Sequence, residues 1–322
     1  MKAFFTTLFV AVVVTAFVSP SFADVPPQFI LQWGSQGSSS GQFVYPFGIA
    51  TDGFGNVFVI DSGTSRVQKF TNSGSFVSQW GSFGGGNGTM STIVGVATDA
   101  VGNVYVADMD NQLVQKFTNS GSFILQWSLN TPGWQFAEPF AITVDGAGDV
   151  YVTDDYYCRV LKFTSDGVYI TEWGSQGNGP GQFLYPQGLT TDTDGNVYVS
   201  EGNNHRIQKF TSDGAYLTGW GSSGNGPGQF LGPGGLVVDT DGNIYVADIN
   251  RIQKFTSDGA YVTEWGTLGS GIGEFNGAQR VATDSMGNIY VADSGNCRVQ
   301  KFGYLPIPVQ PTTWSAIKAR YR

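Results

Sequence analysis

The sequence predicts an all-β fold, a six-bladed β-propeller of four-stranded antiparallel blades. Three observations support it: a repeat of about 47 residues, four short β-type runs in each repeat, and one repeat divided between the two ends of the chain. A self-similar period of roughly 40–50 residues is typical of propellers and solenoids. The divided repeat distinguishes between these two architectures.

A Lys-Phe pair and a tryptophan mark the period. The pairs begin at Lys69, Lys116, Lys162, Lys209, Lys254 and Lys301. The tryptophans are Trp33, Trp80, Trp127, Trp173, Trp220 and Trp265. Because both markers recur at nearly equal steps, we expect one structural unit used six times.

Each repeat contains four runs with the pattern of β-strands. In the fourth repeat they are residues 188–191, 196–200, 206–211 and 215–220, rich in Val, Ile, Tyr and Phe. Short segments such as Asp194-Gly195 and Asp213-Gly214 separate them, and such pairs favour tight hairpins. The unit is therefore predicted to be a four-stranded antiparallel meander, which is the blade of a propeller.

The two ends of the chain predict that the ring is closed. The sixth repeat stops after its third strand, at about residues 297–302, while residues 29–34 resemble a fourth strand with no repeat before it. An open solenoid would gain nothing from this division. A closed ring removes the exposed sheet edges that promote aggregation, so we predict that the N-terminal strand completes the last blade.

The composition excludes several other classes. The chain has 322 residues with 46 glycines, two cysteines, one histidine and a net charge of −9. A disordered chain is excluded because 41% of the residues are hydrophobic, and a disulfide-stapled scaffold is excluded because two cysteines are too few. The negative charge disfavours binding to phosphate backbones.

Residues 1–23 predict an exported protein. Lys2 precedes an apolar run, and the small residues Ser21 and Ala23 occupy the −3 and −1 positions of a cleavage site, as in a secretory signal peptide. An uncleaved anchor is disfavoured because the run falls short of the roughly 20 residues that a span needs. We expect a secreted or extracytoplasmic protein with a propeller over residues 24–303, a tail over 304–322 and no membrane span in the mature chain.

Three segments of the repeats resemble NHL repeats. They read YPFGIATD with GNVFVIDSGTSRVQKF, YPQGLTTDTDGNVYVSEGNNHRIQKF, and GNIYVADSGNCRVQKF. The resemblance extends over about residues 29–302 and implies a six-bladed propeller. For function it implies RNA-binding domains, extracytoplasmic sensor domains, peptide-amidating lyases or interaction scaffolds, and the choice must come from the residues themselves.

Acids and arginines recur where the second predicted strand ends and the third begins. They form either a charged binding ring or local ion pairs that brace each loop. Because the repeat itself is the simplest reason for their presence, we predict structural ion pairs. These are Asp61 with Arg66, Asp154 with Arg159, Glu201 with Arg206, Asp248 with Arg251, and Asp293 with Arg298.

Departures from the repeat are where a ligand site is expected. Gln279 and Arg280 begin the innermost strand of the sixth repeat, where the fourth repeat has Gln187-Gly188. Arg280 is thus a cation beside the channel axis, either available to a carboxylate or sulfate or paired with neighbouring acids. We take Arg280, Gln279 and Gln187 as candidate ligand-binding residues.

Three aromatic residues are further candidates. Tyr156 and Tyr157 lie in a loop of the third repeat, and Trp134 lies outside the tryptophan register. Aromatic side chains of this kind can stack on a sugar or a peptide. An exposed loop tyrosine with no ligand is the alternative interpretation.

Three classes of function stay open. The favoured hypothesis is an exported, non-enzymatic and monomeric scaffold that presents the loops of one face to a protein, peptide or glycan. The second is a calcium-dependent hydrolase or lyase. No metal site is predicted, since one histidine, His205, cannot build a histidine-held zinc site, although calcium stays open as a cofactor. RNA binding is third, disfavoured by the acidic charge and the export signal.

Overall fold

The computed structural model describes residues 25–129 and 136–304. These residues form six four-stranded antiparallel sheets, each of which is one blade, with two single-turn 3-10 segments as the helical structure among them. The predicted signal peptide, residues 1–23, lies outside the described residues, as does the predicted tail beyond Tyr304. No helix within the described ranges is long and apolar enough to cross a membrane.

The blades follow the repeats in chain order. Blade one consists of β2 (Pro46–Thr51), β3 (Asn56–Asp61), β4 (Arg66–Thr71) and β5 (Phe76–Trp80). Blade two consists of β6 (Ile93–Thr98), β7 (Val104–Asp108), β8 (Leu113–Phe117) and β9 (Phe123–Ser128). Blade three consists of β10 (Pro139–Val144), β11 (Val150–Asp154), β12 (Arg159–Phe163) and β13 (Tyr169–Trp173).

The remaining blades repeat the order. Blade four consists of β14 (Pro186–Thr191), β15 (Val197–Glu201), β16 (Arg206–Phe210) and β17 (Tyr216–Trp220). Blade five consists of β18 (Pro233–Val238), β19 (Ile244–Asp248), β20 (Arg251–Phe255) and β21 (Tyr261–Trp265). Blade six consists of β22 (Ala278–Thr283), β23 (Ile289–Asp293), β24 (Arg298–Gly303) and the N-terminal β1 (Gln28–Trp33).

The N-terminal strand closes the ring. β1 pairs antiparallel with β24, with Gln28 opposite Gly303 and Trp33 opposite Val299. Strands from the two ends of the chain therefore share one sheet, which confirms the predicted closure. Unfolding of this blade requires that both ends of the propeller separate, so the closure links the ends cooperatively.

The first strand of each repeat lies innermost. These inner strands (β2, β6, β10, β14, β18 and β22) each contact the inner strands of both neighbouring blades, and β22 contacts β2. They surround a central channel. The approach is close enough to require glycine: a Cβ added at Gly188 would lie 2.3 Å from the carbonyl oxygen of Gly234 in the next blade.

The repeated tryptophans pack between blades. Trp173 at the end of β13 contacts Tyr151 of its own blade and Phe210 of blade four, with ring centroids 6.2 and 6.1 Å apart. Its indole also covers Gly214, where an added Cβ would lie 2.5 Å from the ring and φ is +87°. The tryptophan and the hairpin glycine of the following blade therefore form one packing unit that occurs around the ring.

Aspartates organise the turns that follow the inner strands. Asp192 Oδ1 accepts hydrogen bonds from the backbone N–H groups of Asp194 (3.0 Å) and Asn196 (2.8 Å), and Tyr198 OH donates to Asp192 Oδ2 at 2.9 Å. Asp239 makes the same set with Asp241, Asn243 and Tyr245. These acids hold hairpins together, as is typical of aspartate in turns.

Candidate functional site

One face of the propeller carries the loops on which the predicted site residues lie. Each inner strand begins there: Pro46 at the start of β2 is opposite Asp61 at the end of β3. The β3–β4 loop and its equivalents, together with the linkers between blades, cover this end. We call it the loop face.

The acid and arginine of each predicted pair are in contact and buried. The shortest nitrogen–oxygen distances are 3.1 Å for Asp61–Arg66, 2.9 Å for Asp154–Arg159, 2.5 Å for Glu201–Arg206, 3.0 Å for Asp248–Arg251 and 2.8 Å for Asp293–Arg298. All five acids have fully buried side chains. Their charges are therefore neutralised within the loop face.

The residues of the ion pairs form hydrogen bonds with the backbone of the linkers between blades. Asp61 Oδ1 accepts hydrogen bonds from the backbone N–H groups of Val44 and Tyr45, at 2.8 and 2.9 Å. Arg66 Nη2 donates to the carbonyl oxygen of Gln42 at 2.9 Å, in the same linker. A buried ion pair with additional hydrogen bonds of this kind fixes geometry. We call these ion pairs, with their hydrogen bonds to the linkers, the frame of the loop face.

Arg280 is not one of these paired arginines, because it lies in the inner strand β22. It occupies the third place of β22, where the other inner strands have Gly48, Gly95, Ala141, Gly188 and Gly235. Its side chain is only 8% exposed. Nη2 donates to the carbonyl oxygen of Gln187 in blade four at 2.9 Å, and Nη1 donates to the carbonyl oxygen of Gln279 at 3.1 Å. The guanidinium therefore lies across the channel.

No carboxylate of the described residues neutralises Arg280. Among the described residues its nitrogen atoms form no ion pair within 4.0 Å, and its guanidinium carbon instead lies 4.7 Å from the ring centre of Phe47 and 5.1 Å from that of Phe140. Burial lowers the pKa of Arg280 to about 10, an effect partly opposed by the tyrosine hydroxyls of Tyr185 and Tyr45. The side chain stays protonated at neutral pH and is a buried, uncompensated cation.

An aromatic rim surrounds this cation. Tyr45 stacks on Phe47, with centroids 6.0 Å apart and an interplanar angle of 25°, and Tyr185 packs against Phe140 at 6.0 Å. Both tyrosines are partly exposed on the loop face. We call the set formed by Arg280, Phe47, Phe140, Gln187 and Gln279, with Tyr45 and Tyr185 at its rim, the channel mouth.

The channel beyond the mouth is narrow, and the side chains that line it are mostly small or aliphatic. A cavity of ≈ 50 Å³ adjoins Arg280, and a second of ≈ 200 Å³ lies towards the opposite face, between residues such as Ile49, Val144 and Thr283. Thr51 Oγ1 and Thr98 Oγ1 there donate to neighbouring inner-strand carbonyl oxygens at 2.6 and 2.7 Å. The charged end of the channel is thus the mouth on the loop face.

Of the candidate ligand-binding residues, Arg280 contacts Gln187 and Gln279 through their backbone carbonyl oxygens. The candidate aromatic residues lie elsewhere. Tyr156 is exposed and contacts Phe136, with ring centroids 4.9 Å apart. Tyr157 lies against the guanidinium of Arg159 at 5.2 Å, which ties it to the ion pair of blade three. Trp134 lies outside the described residues.

The aromatic residues of the mouth were missed by the sequence reasoning. Phe47 and Phe140 occupy the second place of β2 and β10, directly before the position of Arg280. Tyr45 and Tyr185 each precede the proline that begins an inner strand. Their positions in the repeat could have identified them. The second residue of each inner strand, and the residue just before the strand, lie at the same end of the channel because all six inner strands begin there.

Asp155 of blade three directly precedes the predicted tyrosine pair. Burial, followed by the charges of Glu138 and Asp154, raises the pKa of Asp155 to about 7. Asp155 Oδ1 is buried, and no hydrogen-bond donor among residues 25–129 and 136–304 reaches it. Within residues 25–129 and 136–304, no group of three or more His, Cys, Asp or Glu side chains is arranged to hold a metal ion.

Comparison with protein families identifies two of the six repeats directly. Residues 183–210 and 275–302, in blades four and six, match the NHL repeat model. A comparison with proteins of curated function finds no match to this sequence.

Solved structures with the same fold include enzymes. A gluconolactonase from Xanthomonas campestris is 18% identical, with a TM-score of 0.63 over 81% of this chain and 87% of the other. Virginiamycin B lyase from Staphylococcus aureus is 18% identical, with a TM-score of 0.59 over 85% and 98%. A protein of unknown function from Bacteroides thetaiotaomicron is 21% identical, with a TM-score of 0.63 over 85% and 76%. At these identities the likeness shows the fold alone.

Proposed function

Since this chain is an NHL-repeat six-bladed β-propeller, we propose that it is a non-enzymatic binding module that acts after export. Its ligand is a peptide or glycan with a carboxylate, taken at the channel mouth. Arg280 is the recognition cation, and Tyr45 and Tyr185 provide flat apolar surface for the neighbouring part of the ligand. The first 23 residues support export by their composition.

One observation carries the proposal: Arg280 is buried at the mouth, and no carboxylate of residues 25–129 and 136–304 lies within 4.0 Å of its nitrogen atoms. A buried charge costs several kcal/mol unless it is paired, and the same strand position in four other blades has glycine. Arginine presents a planar set of donors that matches a carboxylate. A bound carboxylate would supply the missing countercharge, which explains why the propeller keeps the cation.

The ion pairs around the channel mouth favour ligand binding over catalysis. The five acids that pair with arginines on the loop face are engaged with those arginines and with the linkers, so these five are not free to act as acid, base or nucleophile. The enzyme alternative is supported by two structural neighbours that are enzymes, a gluconolactonase and a lyase. At 18% identity, however, these proteins share only the fold with this chain. The rigid frame favours a preformed binding surface.

The test uses the chain from residue 24 onward and a matched pair of ligands. Peptides with a tyrosine before a free C-terminal carboxylate are titrated by calorimetry against the same peptides with an amidated C-terminus. We expect the carboxylate to bind at least roughly 10-fold more tightly, as one charge-assisted hydrogen bond implies, and Arg280→Gly to abolish the difference. Equal binding of both peptides would refute the assignment of Arg280.

The same preparation tests the enzyme alternative. Metal analysis after extensive dialysis, followed by assays of lactone hydrolysis and of lyase activity with and without added calcium, measures it directly. Turnover that depends on one bound metal per chain would replace the binding-module proposal by an enzyme. Tyr156→Ala serves as a loop-face control, since its ring contacts Phe136 and Tyr157 and not the mouth.

A further inference from the structure

One turn position on the side opposite the loop face differs from blade to blade. The hairpins between the first and second strands lie on this side, which we call the hairpin face. In each hairpin the aspartate that follows the inner strand accepts a hydrogen bond of 2.9–3.1 Å from the backbone N–H group two residues later. The donating residues are Phe54, Val101, Ala147, Asp194, Asp241 and Met286. Because the bond uses only the backbone, the turn places no demand on the side chain at this position.

Three neighbouring blades have large apolar side chains there. Met286 of blade six and Phe54 of blade one are each 67% exposed, and Val101 of blade two is 75% exposed. The ring of Phe54 reaches the next hairpin, since a Cβ added at Gly102 would lie 2.9 Å from it. We call Met286, Phe54 and Val101 the apolar arc. An exposed apolar patch that the fold does not require marks a docking surface.

The other half of the hairpin face is acidic. Asp194 and Asp241 occupy the same turn position in blades four and five and are exposed. The hairpins between the third and fourth strands of blades one and two have Ser73 and Ser120 at their tips. The corresponding exposed residues of blades three, four and five are Asp166, Asp213 and Asp258. Around the ring, the apolar arc is therefore followed by blades that carry acids.

The chain leaves the propeller between these two halves. β24 runs from the loop face to the hairpin face. The next residue, Tyr304, lines a cavity of ≈ 260 Å³ together with Asp241 of blade five and Gly287 of blade six. Gly287 directly follows Met286. Residue 305 therefore starts beside the first member of the apolar arc.

Residues 305–322, which lie outside the described residues, complement this face in composition. Their apolar residues are Leu305, Ile307, Val309, Trp314 and Ile317, and their charged residues are Lys318, Arg320 and Arg322. The segment thus has bases and no acid, although the chain as a whole has a net charge of −9. Its full extension is about 60 Å, which is ample for several blades. Pro306 and Pro308 restrict the free segment and so reduce the conformational entropy that docking costs.

We propose that residues 305–322 dock on the hairpin face of their own propeller, from blade six through blade one to blade two. The apolar residues of the segment cover the apolar arc, and its bases then lie beside acids of blade three such as Asp166. In this direction the face presents apolar residues first and acids second, which is the order along the segment. The contact lies on the opposite face from the channel mouth, so it does not depend on the proposed ligand site.

Paramagnetic broadening of NMR resonances measures the path of the segment in the chain from residue 24 onward. Thr312→Cys introduces a site for a nitroxide label in the middle of the segment. The native Cys158 and Cys297 are buried, and the parent chain treated with the same reagent shows whether they take up label. Phe54 and Asp194 are matched reporters, because blades one and four lie equally far around the ring from the point where the chain leaves, between blades five and six.

We expect the label to broaden the amide resonances of residues 54 and 101 and to leave that of Asp194 sharp. The double variant Phe54→Ser with Val101→Ser should lose this preference, and it keeps the turns because their bonds use backbone N–H groups. Phe83→Ser is the control: it removes an 81% exposed phenylalanine from a linker on the loop face and should keep the preference. Circular dichroism verifies that the variants fold.

Equal broadening at residues 54 and 194 would overturn the proposal, as would a preference that survives in the double variant. A mixed sample distinguishes docking within one chain from docking between chains. In it, isotope-labelled protein without the nitroxide is combined with nitroxide-labelled protein without the isotope. Broadening of residues 54 and 101 in this mixture would show that the segment docks on a second copy, which also contradicts the proposal.

Discussion

Arg280 Nη2 donates a 2.9 Å hydrogen bond to the carbonyl oxygen of Gln187, and this bond joins blade six to blade four across the channel. The guanidinium is held by carbonyl oxygens and aromatic faces, whereas Arg66 and its equivalents are held by carboxylates. The protein therefore contains two kinds of buried arginine, one neutralised within its own blade and one that is not. The free energy of unfolding of variants that lack each kind of arginine measures this difference.

We expect Arg280→Met to change the free energy of unfolding by less than about 1 kcal/mol, or to raise it, because an apolar side chain of similar length removes the cost of a buried unpaired charge. Arg66→Met should lower the free energy of unfolding by roughly 3–5 kcal/mol, since it leaves Asp61 buried without its partner. Urea unfolding of both variants measures the contrast. Similar losses in the two would show that Arg280 has a structural role equal to that of the paired arginines.

Asp155 should make stability depend on pH. Because burial raises its pKa in the folded protein to about 7, the folded state binds more protons than the unfolded state between about pH 4 and pH 7, and stability falls as the pH rises through this window. Asp155→Asn should match the wild type at pH 4 and exceed it at pH 8 by about 1 kcal/mol after solvent screening.

The matched control for Asp155 is its neighbour Asp154, which is paired with Arg159 at 2.9 Å. Asp154→Asn should lower stability at pH 8, because Arg159 loses the buried one of its two carboxylate partners and keeps only Glu172, at 2.7 Å. If Asp155→Asn also lowers stability at pH 8, then its carboxylate makes a favourable interaction and the assigned effect of burial is wrong.

Buried tyrosines should limit stability at alkaline pH. Burial raises the pKa of Tyr151 to about 12, although Lys162 partly opposes the effect, and burial raises the pKa values of Tyr105, Tyr198, Tyr245 and Tyr290 as well. Between pH 10 and pH 12 the unfolded state loses protons that the folded state keeps, so stability falls as the pH rises.

The variant Tyr151→Phe tests this directly. It removes one titrating hydroxyl and its 3.0 Å hydrogen bond to Asp145, so it should cost about 1 kcal/mol at pH 8 and show a shallower loss of stability between pH 10 and pH 12. Tyr156→Phe, which removes an exposed hydroxyl, serves as the control for the substitution itself. A slope in Tyr151→Phe as steep as that of the wild type would contradict the prediction.

The blades and their closure were predictable because they depend on local patterns that occur six times. Arg280 was also recognisable, since it breaks the pattern at a position where four other blades have glycine. Phe47 and Phe140 were not, because they reach Arg280 only when blades one, three and six surround the same channel. Such packing depends on the curvature of the ring, which no single repeat encodes.

The short loop between Asp248 and Arg251 in blade five illustrates the same limit. The shorter step from Lys209 to Lys254 is visible in the sequence, but its consequence depends on where the lost residues would have bonded. Only the hydrogen bonds of Asn111, Asn204 and Asn296 show that the deletion leaves a glycine carbonyl of the linker without an amide donor.

The close packing of Arg280 against Gly235 gives the last prediction. A Cβ added at Gly235 would lie 2.4 Å from Cδ and 2.8 Å from Cα of Arg280, so Gly235→Ala should lower the free energy of unfolding by roughly 1–3 kcal/mol through overpacking. The double variant with Arg280→Gly should recover part of that loss, because the clash with the side chain disappears while the clash with the backbone of residue 280 stays. Gly146→Ala, where an added Cβ meets nothing within 4 Å, is the neutral control. A double-mutant cycle measures the coupling, and additive losses would show that the Arg280 side chain does not pass over Gly235.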